Sequence, residues 1–239
     1  MSERTKGEHV RSLFHEELDF ISDQLVRMSR MAAEALERAT RSLLEADLEL
    51  AEQVITDDEE IDAVRRDLEN RAIDVLARQQ PVATDLRQLV TALRMCADLE
   101  RSGDLARHVA KLARMRYPLV AVPDDLRPIV KEMSVLAEEM IVRAGEVVAA
   151  HDPSGAAELQ SRDDGMDRLH REVFRLLLDH DTERGRQEVV DMTLLGRYYE
   201  RYADHAVSVA IRVVFLVTGS WHDEQVPLSD AGRVHRAEP

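Results

Sequence analysis

Four pairs of acidic residues stand out because the two members of each pair are four residues apart. This spacing places both carboxylates of a pair on one face of an α-helix. Acidic residues occupy 47 of the 239 positions, so chance alone yields roughly nine or ten such pairs and a single pair is weak evidence. The four pairs are Asp58 and Asp62, Glu100 and Asp104, Asp163 and Asp167, and Glu200 and Asp204.

Two of these pairs lie in copies of one short segment. Residues 100–106 (ERSGDLA) and 200–206 (ERYADHA) are identical at four of seven positions and are 100 residues apart, which indicates a duplicated structural unit. In the first half, the midpoints of the two acid pairs are equally distant from the predicted turn at Pro81. In the second half, they are equally distant from the predicted turn at residues 181–185. In an antiparallel helical hairpin, the two pairs of each half should therefore lie side by side.

Four carboxylates gathered at one level of a hairpin repel one another, and a bound cation would relieve that repulsion. Oxygen ligands suit Mg²⁺, Ca²⁺ and Mn²⁺, and carboxylates also bind iron and zinc. We therefore predict one metal site in each half, with the two acid pairs of that half as ligands. Alternatively, nearby arginines neutralise the acids as surface ion pairs, and the candidates are Arg65, Arg101, Arg168 and Arg201.

Helical periodicity dominates the elements that would position these acids. Apolar residues recur at steps of three and four from Leu18 to Leu43, and the same period continues in later segments. Proline- and glycine-containing segments at 117–125 and 151–155, together with Pro81 and the turn at 181–185, interrupt the pattern. Six helices are predicted. The first covers residues 9–45, the second follows the cap residue Asp47 and ends at 78, and the third follows the break at Pro81 and ends at 116. The remaining three cover residues 125–150, 155–180 and 186–217.

The predicted fold is all-α, with two tandem antiparallel three-helix bundles related by the internal repeat. The first bundle spans residues 1–117, residues 118–124 form a linker, the second bundle spans 125–219, and residues 220–239 form a disordered tail. We expect the two bundles to be arranged end to end.

Composition excludes several classes of function. A net charge of −15 argues against binding to nucleic acid and against docking on anionic lipid through a basic patch. Cys96 is the only cysteine, so no intrachain disulfide can form. No apolar run approaches the roughly 18–20 residues that span a bilayer, so we expect no membrane insertion and a cytoplasmic location.

The chain resembles the PhoU family, the accessory and regulatory proteins of the bacterial phosphate-specific transport system. The resemblance is carried by residues 80–87 (QPVATDLR), 98–104 (DLERSGD), 199–206 (YERYADHA) and 213–219 (VVFLVTG), and it extends over about residues 9–219. It implies metal clusters of iron, zinc, manganese or magnesium, held by acid-x-x-x-Asp motifs that coincide with the eight acids above. It also implies a homodimer that acts as a negative regulator of the phosphate-starvation response, linking the ATPase subunit of a phosphate ABC transporter to a sensor histidine kinase.

The sequence lacks the motifs of several enzyme classes. A catalytic di-iron bundle needs Glu-x-x-His motifs on two helices, and no His in the chain has a Glu three residues before it. Without a phosphate-binding GxxxxGK[ST] loop or a Cys–His pairing, we predict no enzymatic activity. Two alternatives remain, which are a metal-free helical adaptor and a PhoU-like accessory of an ion-coupled phosphate carrier.

Overall fold

Six α-helices make up the fold. The computed structural model describes residues 3–179 and 183–219, with side chains described at residue 14 and from residue 16 onward. The helices are α1 (Glu3–Glu45), α2 (Leu48–Gln79), α3 (Thr84–Arg116), α4 (Arg127–Ala150), α5 (Ser154–Leu177) and α6 (Arg186–Thr218). These two ranges contain no strand, which confirms the all-helical prediction. None of the described helices has a stretch long and apolar enough to cross a membrane.

Local sequence signals set two of the helix ends clearly. The Asp47 carboxylate caps α2 by accepting a hydrogen bond from the Leu50 amide at 3.0 Å. Gly219 ends α6 with a left-handed φ of +76°, a conformation that glycine adopts without strain. Helix α1 begins earlier than predicted, and α5 ends at Leu177 instead of residue 180. The predicted tail, residues 220–239, lies outside the described residues.

The two three-helix units pack side by side, so the expected end-to-end arrangement is wrong. Helix α1 packs against α2, α3 and α4, and α6 packs against α3, α4 and α5. Helices α1, α3, α4 and α6 therefore form a central four-helix core, with α2 and α5 on its flanks. The physical reason is that α6 presents Tyr199 and Tyr202, both fully buried, and Tyr199 reaches Thr40 of the other half. An end-to-end arrangement would leave such large side chains in water.

Small side chains allow α1 and α4 to approach closely across the boundary between the halves. The two helices run antiparallel, with Ser29 opposite Gly145 and Thr40 opposite Ser134. A Cβ atom at Gly145 would lie 2.1 Å from Ser29 Oγ, so the close approach requires a residue without a side chain here.

Charged contacts join α3 and α6 on the other side of the same boundary. The Asp98 carboxylate accepts a hydrogen bond from Arg212 Nε at 2.7 Å, and its second oxygen lies 3.3 Å from His205 Nδ1. Further along, the buried Asp191 binds Arg116 in a two-point contact, with Nη2 donating to Oδ1 at 2.8 Å. The largely buried carboxylates of Asp98 and Asp191 each bind a partly exposed arginine of the other half, and such directional charged contacts help to fix the register of the two halves.

Candidate metal centres

The first candidate centre lies in the groove between α2 and α3. Asp58 and Asp62 belong to α2, and Glu100 and Asp104 belong to α3. Antiparallel packing brings Asp58 close to Asp104, and Asp62 close to Glu100, so the negative charges of the two helices repel across the groove. The helices approach closely at Gly103, where an added Cβ would lie 3.3 Å from Asp58 Oδ1.

Arg107 bridges the two acids at the inner end of this groove. Its Nη1 lies 2.8 Å from Asp58 Oδ2, and its Nη2 donates a hydrogen bond to Asp104 Oδ1. Asp58 is only 8% exposed, and this burial raises its pKa. The charge of Arg107 lowers the pKa, whereas the charges of Asp104 and Asp62 raise it. Together these effects leave the pKa of Asp58 above its ordinary value. The guanidinium therefore serves as a built-in counter-ion for this centre.

Two further arginines contact acids of the first centre. Arg101 Nη1 donates to Asp104 Oδ2 at 3.1 Å, and Arg65 Nε lies 3.7 Å from Asp62 Oδ1. Burial raises the pKa of Glu100, and repulsion from Asp104 adds to that effect. Two of the arginines suggested by the sequence, Arg65 and Arg101, thus do pair with acids of the first centre.

The second candidate centre, between α5 and α6, has the same acids and far less neutralisation. Burial raises the pKa of Asp163 to about 7, and repulsion from Asp204, Asp167 and Glu200 contributes. Burial likewise raises the pKa values of Glu200 and Asp204. In the described part of the chain, the only ion pair to these four acids is the contact of Arg197 with Glu200. The second centre is therefore less neutralised than the first, although the charges of Arg201 and Arg197 lower the pKa of Asp204.

The two copies of the repeat differ at the positions of the neutralising arginines, and the spacing of the acids alone did not reveal this. At the 100-residue offset, the position of Arg107 is occupied by Val207, so the second half has no bridging guanidinium. At the 105-residue offset that relates Asp58 to Asp163, the position of Arg65 is occupied by His170. Burial lowers the pKa of His170, which favours its uncharged form. Comparing the two copies position by position would have revealed the asymmetry.

The fit of the two centres to a metal ion follows from these contacts. Across residues 3–179 and 183–219, no three or more His, Cys, Asp or Glu side chains are grouped in a way that could hold a metal ion. In the first centre, a metal would have to displace Arg107 from between Asp58 and Asp104. In the second centre, no guanidinium bridges the two helices, and the all-oxygen donor set suits a divalent cation once the carboxylates rotate toward one another. The second centre is the better candidate.

Comparison with known proteins gives consistent matches over most of the chain. The family model described as the PhoU domain matches twice, over residues 25–113 and 130–213. The chain is 48% identical over 212 residues to the phosphate-specific transport system accessory protein PhoU homolog 2 of Mycobacterium tuberculosis, covering 89% of this chain and 100% of the relative. It is also 48% identical over 219 residues to PhoU homolog 1 of Mycobacterium leprae, with coverages of 91% and 99%. The crystal structure of PhoU from Pseudomonas aeruginosa has a TM-score of 0.77 at 28% identity, covering 87% of this chain and all of that one.

Proposed function

Because the chain belongs to the PhoU family of phosphate-specific transport system accessory proteins, we propose that it is a metal-binding, cytoplasmic negative regulator of phosphate uptake and of the phosphate-starvation response. It links the ATPase subunit of a phosphate ABC transporter to a sensor histidine kinase, and it acts as a homodimer. The observation that carries the accessory role is the match of both halves to the PhoU domain, together with relatives that are named for that role and are matched over nearly their full length.

Metal binding is the part of the proposal that the side chains support. The α5–α6 centre gathers four carboxylates with one arginine partner among the described residues, and burial keeps Asp163 partly protonated near neutral pH. A divalent cation would replace that proton and relieve the repulsion. In the α2–α3 centre the guanidinium of Arg107 already occupies the place of a cation. This contact favours the second candidate function, a metal-free helical adaptor.

The regulatory role is tested in cells that lack the gene. Transcription from a phosphate-starvation promoter is measured in phosphate-rich medium, with and without a plasmid that restores the wild-type chain. Loss of the chain should raise expression, and the plasmid should lower it again. Unchanged expression would contradict negative regulation. Unchanged expression accompanied by altered phosphate uptake would point to an accessory of an ion-coupled carrier instead.

The metal-binding role is tested on protein purified without a metal-affinity tag. The protein is incubated separately with Mg²⁺, Mn²⁺, Zn²⁺ or Fe²⁺, passed through a desalting column and analysed by plasma mass spectrometry. The double variant Glu200→Ala/Asp204→Ala should lose most of the bound metal, whereas Glu100→Ala/Asp104→Ala should lose less. Wild-type protein without stoichiometric metal under every condition would leave the metal-free adaptor as the function.

A further inference from the structure

A chain of buried hydroxyl groups crosses the boundary between the two halves at α1, α4 and α6. Thr40 Oγ1 lies 2.8 Å from the Leu36 carbonyl oxygen, 2.7 Å from Tyr199 Oη and 2.8 Å from Ser134 Oγ. Ser134 Oγ in turn lies 2.6 Å from Glu138 Oε1. Thr40, Ser134 and Tyr199 are almost completely buried. The four contacts therefore form one connected network that ends at a carboxyl group.

Counting hydrogens shows what this network requires of Glu138. The Leu36 carbonyl can only accept, so the Thr40 hydroxyl donates to it. Tyr199 then donates to Thr40, and Ser134 also donates to Thr40, because the single hydrogen of Thr40 is already used. Ser134 has one hydrogen, which it can donate to Thr40 or to Glu138 Oε1, so both contacts are hydrogen bonds only when the carboxyl group itself donates to Ser134. Three hydroxyl hydrogens cannot fill four contacts, whereas three hydroxyls and one carboxylic acid can.

The surroundings of Glu138 favour the same protonation state and leave it open to solvent. Glu138 lines two clefts on the α1–α4 surface, with volumes of about 580 and 610 Å³, so protons can reach it from water. It forms no ion pair within the described part of the chain, and Glu37 and Glu139 bind their own arginines, Arg41 and Arg162. Burial raises the pKa of Glu138 despite the Ser134 contact, and repulsion from Glu37 and Glu139 raises it further. The charged and titratable groups that line the two clefts or interact with Glu138 are Glu34, Glu37, Arg41 and Glu45 of α1, Arg127, Lys131, Glu139, Arg143 and Glu146 of α4, Arg162 of α5, and Tyr199 and Tyr202 of α6.

We propose that Glu138 is the protonation site of a pH-sensitive latch between the two halves, because the hydroxyl network joining α1, α4 and α6 is complete only when this side chain carries a proton. The latch is independent of the metal centres and of the proposed regulatory function. Protonation fills all four contacts and holds α4 against α1. An ionised carboxylate accepts the single hydrogen of Ser134, and the Thr40–Ser134 contact between α1 and α4 is then left as two oxygens without a hydrogen between them, which weakens the junction. The folded protein therefore binds this proton more tightly than the unfolded chain, and its contribution to stability falls as the pH rises through the pKa of Glu138.

The titration is measured first, by ¹³C NMR of the carboxyl carbons of glutamate in the full chain. Glu132 is the internal reference, because it is an exposed glutamate on the same helix and forms no ion pair in the described structure. The Glu138→Gln and Glu132→Gln variants assign the two signals. We expect the Glu138 signal to titrate at a clearly higher pH than the ordinary glutamate pKa of about 4.3. A Glu138 signal that titrates at or below that of Glu132 would overturn the proposal.

The latch itself is measured by amide hydrogen exchange in α1 and α4, after correction for the intrinsic pH dependence of exchange. The glutamine amide in Glu138→Gln can donate to Ser134 at every pH, so this variant mimics the protonated acid. In the wild type, protection of residues 36–40 and 134–138 should fall when the pH rises from below to above the measured pKa of Glu138. In Glu138→Gln the fall should be absent, and Glu132→Gln should behave like the wild type. Equal pH dependence in all three proteins would refute the latch even if Glu138 titrates high.

Discussion

Replacing Arg107 with glutamine tests whether the α2–α3 centre depends on its internal counter-ion. The change removes the charge that bridges Asp58 and Asp104, and it leaves the Asp58 carboxylate, 9% exposed, among like charges. Removing one partner of a buried ion pair costs about 3–5 kcal/mol, and we expect about 2–3 kcal/mol here because Arg107 is 30% exposed and glutamine can still donate a hydrogen bond. For a chain of this length, that loss lowers Tm by about 5–10 °C.

The assay is urea unfolding at pH 7.5 with a chelator present, followed by circular dichroism. Arg101→Gln is the matched control, since Arg101 contacts the same Asp104 but is 65% exposed, and exposed pairs contribute about 0–1 kcal/mol. When the chelator is replaced by Mn²⁺ or Mg²⁺, Arg107→Gln should be restabilised more than the wild type, because its first centre then resembles the second. If Arg107→Gln costs no more than Arg101→Gln, the bridge does not hold the centre together.

Three further predictions concern other ionised groups. With chelator at pH 8, Asp163→Asn should raise the free energy of unfolding by about 1–2 kcal/mol, a value that allows for solvent screening. An unchanged or lower free energy of unfolding would show that repulsion among the four acids of the second centre does not destabilise the fold. Hydrogen bonds from His205 and Arg212 outweigh burial and hold the pKa of Asp98 below its ordinary value, so wild-type stability should fall as the pH drops through that pKa. Asp98→Asn should flatten the fall in an acid titration of Tm, and an equally steep fall would exclude Asp98 as its source. Arg116→Met should cost about 3 kcal/mol in urea unfolding, because it removes the charged partner of the buried Asp191 and leaves only the hydrogen bond from Gln187. A loss below about 1 kcal/mol would contradict the ion pair at α3–α6.

The helices were predictable because the signals that define them are local. A stripe of apolar residues at steps of three and four, a capping aspartate and a proline break each act within one or two turns of chain. The side-by-side packing was not predictable in the same way. It depends on a second buried face, formed by small residues such as Ser29 and Gly145 and by two tyrosines of α6, and these residues do not form a conspicuous apolar stripe.

The placement of the acids could be predicted, whereas their charge balance could not. Equal distances from a turn fix the level of two residues in an antiparallel hairpin, so the juxtaposition of Asp58 with Asp104 follows from counting. Which basic side chain reaches them depends on rotation about the helix axis. Arg101 precedes Asp104 by one turn and Arg107 follows it by one, but only Arg107 reaches across to Asp58. Spacing alone gave no reason to prefer one arginine over the other.

The duplicated unit has diverged in a way that gives its halves different electrostatic roles. With Arg107 in place, the first centre is neutralised from within, so its stability does not require a ligand. With Val207 at the corresponding position, the second centre stores repulsion among four acids, and a cation, a proton or a partner's basic group can relieve it. Glu200 and Asp204 lie on α6, which packs against α3 and α4 and contacts α1 through Tyr199, so a shift of this helix on ligand binding would alter contacts between the two halves. A responsive centre in one half and a fixed one in the other is what a regulator needs, since only the half that changes with its ligand can report on it.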